Sequence, residues 1–227
     1  MEAQARFSSD ASHELRTPLA ALRAHNEVEA SNPQLTVAEA RKVMRSSIEQ
    51  TIKLEQLSDG LLQLSRGETG GLDTRPVPLD EIVSKAINQV IPRAQSKRIS
   101  IHDEVADVII RGDIQSLIQA ATILLDNAVK YSNAGSTIRI KGYREGKAAI
   151  LSVQDNGIGI AKADLPHIFE RFYRADNART KQGEHGYGLG LSIAQKIIEH
   201  HNGKITVQSI VGKGTTFTIK LPPGRMM

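Results

Sequence analysis

Ser12–Leu19 reads SHELRTPL, and within it His13, Glu14, Arg16 and Thr17 crowd against Pro18. An imidazole with its ordinary pKa of about 6.5 presents a neutral, nucleophilic ring nitrogen at cellular pH. A histidine with a carboxylate and a hydroxyl close by therefore has the parts for covalent or acid–base chemistry. Thr17 comes four residues after His13 and shares its face on a helix, whereas Glu14, one residue on, does not face it. Pro18 cannot donate to the carbonyl of Glu14, which leaves a weak point in the helix beside the histidine and a route for bending. The bland alternative is a solvated helix face, and what decides lies more than a hundred residues downstream.

Two glycine clusters stand there. DNGIGI (Asp155–Ile160) directly follows the strand-like AAILSVQ, and GYGLGL (Gly186–Leu191) directly precedes a helical stretch with Leu191, Ala194, Ile197 and Ile198. Glycines at a helix entrance let backbone N–H groups approach an anion where the helix end favours negative charge. Taken singly, a GxG is most often a tight turn. Neither the dinucleotide fingerprint at the first strand–helix turn nor the Walker pattern is present. Between the clusters, IFERFYRADNARTKQGEH has a compact aromatic part and a long polar part with Arg174, Arg179 and Lys181. It reads either as a lid that brings positive charge over phosphates or as a solvated loop. Upstream, LLDNAVKYS places Asn127 and Lys130 three apart on one helix face, with Tyr131 next to them. An amide oxygen suits Mg²⁺ and an ammonium suits phosphate, the pairing of a metal–nucleotide site.

The elements that must position these residues fall into two groups. Residues 1–66 read as two helices of about 30 residues per arm. SNPQLT breaks them with the Asn32-Pro33 turn signal, and Thr36 with Glu39 makes a capping box. The second helix carries Leu54, Leu57, Leu61 and Leu64 at the spacing of a bundle seam, with Met44 and Ile48 extending it less regularly. A lone hairpin offers each apolar stripe a single partner, so a homodimer forming a four-helix bundle is expected. A linker follows at 67–78. Residues 79–222 then alternate: a helix at 79–96, strands in RISIHDEV and DVIIRG, and a helix from Asp113 to Tyr131. Strands in STIRIKGY and AAILSVQD, a helix at 189–201 and a closing β-hairpin complete the region, leaving a tail at 223–227. Paired strands with short gaps predict an α/β sandwich around a mixed sheet rather than a doubly wound fold. The protein is read as multidomain, an all-α hairpin followed by this sandwich.

Composition narrows the classes. The absence of cysteine excludes disulfides and cysteine-ligated zinc or iron–sulfur centres. No run of about 18 apolar residues is available to span a membrane as a helix, and the start is too polar for a signal peptide. Residues 1–66 hold eight Lys/Arg and nine Asp/Glu, a balance of −1, and residues 67–227 hold 21 and 16, a balance of +5. That excess favours an anionic ligand, but without a block of like charge nucleic acid is not an expected partner.

FSSDASHELRTPL resembles the H box of bacterial two-component sensor histidine kinases. In the same way LLDNAVKYS resembles their N box, DNGIGI the G1 box, IFERFYR the F box, GYGLGL the G2 box and GKGTTF a third glycine box, in family order from Phe7 to about Pro222. The resemblance implies a dimerising phosphotransfer hairpin followed by a Bergerat-type ATP-binding domain that uses Mg²⁺. It implies that His13 is the phospho-acceptor through Nε2 and that Glu14 takes the proton of the other ring nitrogen. Thr17 then supports dephosphorylation of the partner, a response-regulator receiver domain, by orienting water at an aspartyl phosphate. Asn127 is implied to coordinate Mg²⁺, Lys130 to meet the phosphates, Tyr131 to pack near the adenine and Asp155 to bond its amino group. Gly157 and Gly159 give that strand end room; Gly186, Gly188 and Gly190 shape the phosphate loop; Arg174 approaches the γ-phosphate. The chain is then expected to be the cytoplasmic part of a receptor, reaching the membrane only through an upstream segment.

One position departs from the family. Where another Asn usually stands four residues before Asn127, this chain has Ile123, so a polar contact near Mg²⁺ is lost and weaker metal affinity is expected. Related ATP-hydrolysing clamps place a water-activating glutamate there, and the absence of such a base at Ile123 favours transfer to His13 over hydrolysis. An ATP-driven clamp and a non-catalytic dimeric scaffold are the competing readings, and a DNA-binding module is the weakest because no helix clusters Arg or Lys for base reading.

Overall fold

The structure is a computed structural model that describes residues 18–66, 73–175 and 188–222. The chain forms two compact units, Met1–Ser65 and Arg66–Met227.

The first unit is helical. Helix α1 covers residues 18–30 and α2 is Val37–Arg66. Their connection is built from local side-chain bonds. Ser31 Oγ donates to the Glu27 carbonyl, and Asn32 Oδ1 accepts from the Gln34 N–H in an Asx turn. The capping box forms as the sequence predicts: Thr36 N–H and O–H donate to Glu39 Oε2 at 2.9 and 2.6 Å, and Glu39 N–H donates to Thr36 Oγ1 at 3.3 Å. Ser47 Oγ donates to Asn26 Oδ1 at 2.7 Å, tying α2 to α1. Met44, Ile48 and Ile52, four residues apart on α2, are 65%, 59% and 46% exposed. Leu54 is partly buried, while the side chains of Leu57, Leu61 and Leu64 lie outside the described residues.

The second unit opens with β1 (Arg75–Pro78), then α3 (Leu79–Ser96), β2 (Ser100–Val105), β3 (Ile109–Gly112) and α4 (Ile114–Tyr131). It continues with β4 (Thr137–Glu145), β5 (Ala148–Gln154), α5 (Gly190–His200), β6 (Lys204–Ile210) and β7 (Gly214–Leu221). Five strands form one mixed sheet in the order β2-β4-β5-β7-β6, in which only β2 and β4 run parallel. Strand β1 pairs antiparallel with β3 in a separate two-stranded sheet. Residues 75–78, expected as linker, are therefore structural: hydrogen bonding to β3 draws them into the domain.

Alternate residues of the large sheet (Ile138 and Ile140, Ala149, Leu151 and Val153, Phe217, Ile219 and Leu221) face a single apolar core. Helix α4 lies between α3 and α5 and buries Leu117, Ile118, Ala121, Leu124, Leu125, Ala128 and Val129 on helical spacing. Its start is fixed twice. Asp113 Oδ1 accepts from the Ser116 N–H at 2.8 Å, while the Asp113 N–H donates to His201 Nε2 at 3.0 Å. His201 Nδ1 lies 2.7 Å from the Ile197 carbonyl. A carbonyl only accepts, so Nδ1 carries the ring proton and the neutral histidine staples the end of α5 to the start of α4. A Cβ at Gly112 would come 2.7 Å from His201 Cδ2, so the missing side chain is what lets the ring approach.

Candidate functional site

A cavity of about 150 Å³ opens at the C-terminal end of α4. Asn127, Lys130 and Tyr131 line it from α4, and Asp155, Ile158, Gly159, Ile160 and Ala161 from the loop after β5. Asp164, Ile168, Tyr173 and Arg174 come from the segment beyond, Gly188 and Leu191 from the entrance to α5, and Thr215 and Phe217 from β7. Its volume falls below the ~300–1,000 Å³ of ordinary small-molecule sites. Its lining mixes polar side chains such as Asn127, Lys130 and Asp155 with apolar ones such as Ile158, Ile168 and Phe217.

Asp155 is the acidic centre, with 5% of its surface exposed. Its Oδ1 accepts from the Gly157 N–H at 2.8 Å and the Thr215 N–H at 3.2 Å, and its own N–H donates to the Thr215 carbonyl at 2.9 Å. Burial pushes its carboxyl above the ordinary 3.8, and the two backbone donors pull against that shift. With Oδ1 committed to the backbone, Oδ2 is the oxygen open to a donor on a ligand.

Two devices aim the α4 residues. Lys97, just past α3, donates through Nζ to the carbonyls of Val129 and Lys130 at 3.2 and 2.8 Å. A cation there satisfies helix-end carbonyls and complements the negative end of the helix. Gly157 lets the Asp155 loop close on α4. Ser132 forms a β-bridge with Gly157, and a Cβ on Gly157 would lie 2.9 Å from the carbonyl carbon of Tyr131. The Lys130 ammonium sits 5.1 Å from the Tyr131 ring centroid, within cation–π reach.

The opposite wall is the segment at 162–175. Tyr173 O–H donates to Asp164 Oδ1 at 2.6 Å, and its ring lies 5.4 Å from that of His167. Phe172 N–H donates to the Gly188 carbonyl at 3.0 Å, joining this wall to the entrance of α5.

Of the residues singled out from sequence, Asn127, Lys130, Tyr131, Asp155, Gly159, Arg174 and Gly188 meet at the cavity. Two do not line it. Gly157 packs against Tyr131 instead, and Gly190 begins α5 with Ile123 Cγ2 3.3 Å from where its Cβ would stand. Ile123 is likewise absent from the lining, packing against the core. His13, Glu14, Thr17 and Gly186 lie outside the described residues. Thr215 is a lining residue that sequence reasoning missed, although it sits inside the quoted GKGTTF. Its register opposite Asp155 depends on β7 pairing with β5, which no local pattern discloses.

Comparisons with known proteins place the chain. Residues 112–225 match the family model described as histidine kinase-, DNA gyrase B-, and HSP90-like ATPase, and residues 3–70 match the His Kinase A (phospho-acceptor) domain. The chain is similar to sensor histidine kinase RppB of Synechocystis, 37% identical over 223 residues that cover 96% of this chain and 49% of that protein. It is also similar to the signal transduction histidine-protein kinase/phosphatase MprB of Mycobacterium ulcerans, at 36% over 238 residues covering 100% of this chain and 45% of that protein. Among solved structures, histidine kinase AdeS of Acinetobacter baumannii superposes with a TM-score of 0.76 at 25% identity, covering 94% of this chain and 98% of that one. The chain spans about half the length of the curated relatives it matches.

Proposed function

The chain belongs to the sensor histidine kinases of two-component systems, and from that premise we propose that it transfers the γ-phosphoryl group of ATP to His13 and then to an aspartate of a response-regulator receiver domain. The observation that carries this reading is the convergence of Asn127, Lys130, Tyr131, Asp155 and Arg174 on one cavity from three separate stretches of sequence.

In this reading the adenine enters the cavity beside Tyr131, and its amino group donates to Asp155 Oδ2. Lys130 and Arg174 meet the phosphates as cations. Phosphoryl transfer depends chiefly on positioning and charge neutralisation, which these groups are of the right kind to supply. Asn127 offers the amide oxygen that would hold Mg²⁺. No cluster of three or more His, Asp or Glu suited to a metal occurs among the described residues. Mg²⁺ is an ion that takes few protein ligands and fills its shell from phosphates and water. When bound, the ion neutralises charge developing on the phosphates. The bond from His13 Nε2 to the γ-phosphorus forms as the bond to the bridging oxygen of the departing ADP breaks, and Glu14 accepts the proton of the other ring nitrogen.

The exposed Met44, Ile48 and Ile52 on α2 support a homodimer in which a second copy covers that stripe. No described helix is long and apolar enough to cross a membrane. We place the chain as the cytoplasmic portion of a membrane receptor, on the strength of its family. A second activity, dephosphorylation of the regulator with Thr17 orienting water, is supported by the kinase/phosphatase named among its relatives.

The test is incubation with Mg²⁺ and γ-labelled ATP, comparing the intact chain with His13→Ala. Acid-labile, alkali-stable label that vanishes in the variant is the expected outcome. Label that persists in His13→Ala would exclude His13 as acceptor, and ATP binding without label would point to a kinase that has lost its chemistry.

A further inference from the structure

We propose that Ser209 fixes the direction of the Thr215 hydroxyl proton, and thereby makes the cavity select adenine over a 6-oxopurine. The inference rests on the ATP reading of the cavity and deepens it. Ser209 is a partly buried residue of β6 that does not itself line the cavity. Its Oγ lies 2.9 Å from the Gly214 carbonyl, 2.9 Å from Thr215 Oγ1 and 2.8 Å from the Ile160 N–H.

A serine hydroxyl has one proton and two lone pairs. The Gly214 carbonyl can only accept, so the Ser209 proton goes there. The Ile160 N–H can only donate, so it takes one lone pair. The remaining lone pair faces Thr215 Oγ1, which must donate into it. Thr215, a residue of the cavity lining, thus spends its only hydroxyl proton on Ser209 and has only lone pairs left to offer a ligand.

Asp155 presents the same character. Its Oδ1 already accepts from the N–H groups of Gly157 and Thr215, so the carboxylate and the hydroxyl together form an edge made of acceptors. Adenine brings a 6-amino donor to such an edge, directly or through a water. At the 6-position hypoxanthine brings an oxo acceptor, which leaves lone pairs facing lone pairs there, and it offers a donor only at the neighbouring N1. Removing the Ser209 hydroxyl releases the Thr215 proton to turn into the cavity and donate to an oxo group. Ser209 is therefore a positioning residue, acting through Thr215.

The experiment measures dissociation constants for ATP and ITP by calorimetry on the full 227-residue chain, with wild type, Ser209→Ala, Ser209→Thr and Thr215→Val. Wild type is expected to prefer ATP. Ser209→Ala should narrow the ratio Kd(ITP)/Kd(ATP) by about fivefold to tenfold, the worth of one hydrogen bond gained by the wrong base. Ser209→Thr keeps the hydroxyl and should keep the wild-type ratio. Thr215→Val removes the acceptor itself and should narrow the ratio without any change at 209, so it decides the matter if Ser209→Ala does not fold. A merely structural role for Ser209 would weaken both nucleotides alike, and that result, or an unchanged ratio, overturns the proposal. Wild type that binds neither nucleotide overturns the ATP reading as well; wild type that binds ATP with a ratio indifferent to Ser209 and Thr215 overturns this inference alone.

Discussion

Phe172 and Gly188 are locked backbone to backbone: the Phe172 N–H donates to the Gly188 carbonyl at 3.0 Å, and both residues hold positive φ, +64° and +70°. Positive φ is unusual for a bulky aromatic residue and costs on the order of 1–3 kcal/mol, so the surrounding contacts must hold it there. At Gly188 a Cβ would come 2.6 Å from the Phe172 carbonyl carbon and 2.7 Å from the Tyr173 oxygen. Gly188→Ala should therefore part the two walls of the cavity and weaken nucleotide binding at least about tenfold, equivalent to ~1.4 kcal/mol. Calorimetric titration with ATP checks this, and wild-type affinity would show that the latch does not shape the site.

Asp155 sets function against stability. Its folded pKa lies above the ordinary 3.8 because burial disfavours the charge. The folded state then holds the proton more tightly than the unfolded one. That contribution to stability is fully present below the ordinary value and is lost as pH rises through the folded value. At neutral pH the ionised carboxylate is a net cost. Asp155→Asn should melt at or above the wild-type temperature at pH 7, with the gap closing as the medium is acidified, while ATP affinity drops about tenfold or more. Thermal scans from pH 7 downward with parallel ATP titrations test both halves, and a lower melting temperature at pH 7 would contradict the burial account.

Lys97 acts on the site from outside it. Lys97→Met retains most of the aliphatic stem and removes the donor to the carbonyls of Val129 and Lys130. A loss of about 1 kcal/mol is expected, together with weaker ATP binding because the end of α4 carries Lys130 and Tyr131. Differential scanning calorimetry and an ATP titration suffice; a change in stability with no change in affinity would confine Lys97 to a capping role.

The α2 stripe predicts its own disruption. Replacing Met44 and Ile48 together by Glu places charges where a second copy would cover apolar surface. Sedimentation should then move from dimer to monomer at micromolar concentration. A double variant that still sediments as wild type would place the dimer contact elsewhere.

Thr17→Ala should reduce removal of phosphate from a phosphorylated receiver domain while sparing autophosphorylation of His13. Following both reactions with the same label separates them, and equal loss of the two would rule out a hydroxyl that serves dephosphorylation alone.

The sequence by itself determined what depends on neighbours within a turn or two. The Thr36–Glu39 box, the Asp113 cap, the apolar period of α4 and the alternation of β4, β5 and β7 are written in adjacent residues, because caps, turns and amphipathic faces are local chemistry. The glycine boxes and LLDNAVKYS likewise marked candidate site residues, of which Asn127, Lys130, Tyr131, Asp155, Gly159 and Gly188 line one cavity. The tertiary structure decided which of those residues meet and how. Gly157 and Gly159 look equivalent in DNGIGI, yet one makes room for Tyr131 and the other lines the cavity, where its own Cβ would collide with the backbone of Ile210. The recruitment of residues 75–78 to β3, the His201 staple to Asp113 across 88 positions and the Ser209 bond to Ile160 across 49 are contacts between distant segments. They arise only when burial of the shared core brings those segments together, so no local period or turn signal could encode them.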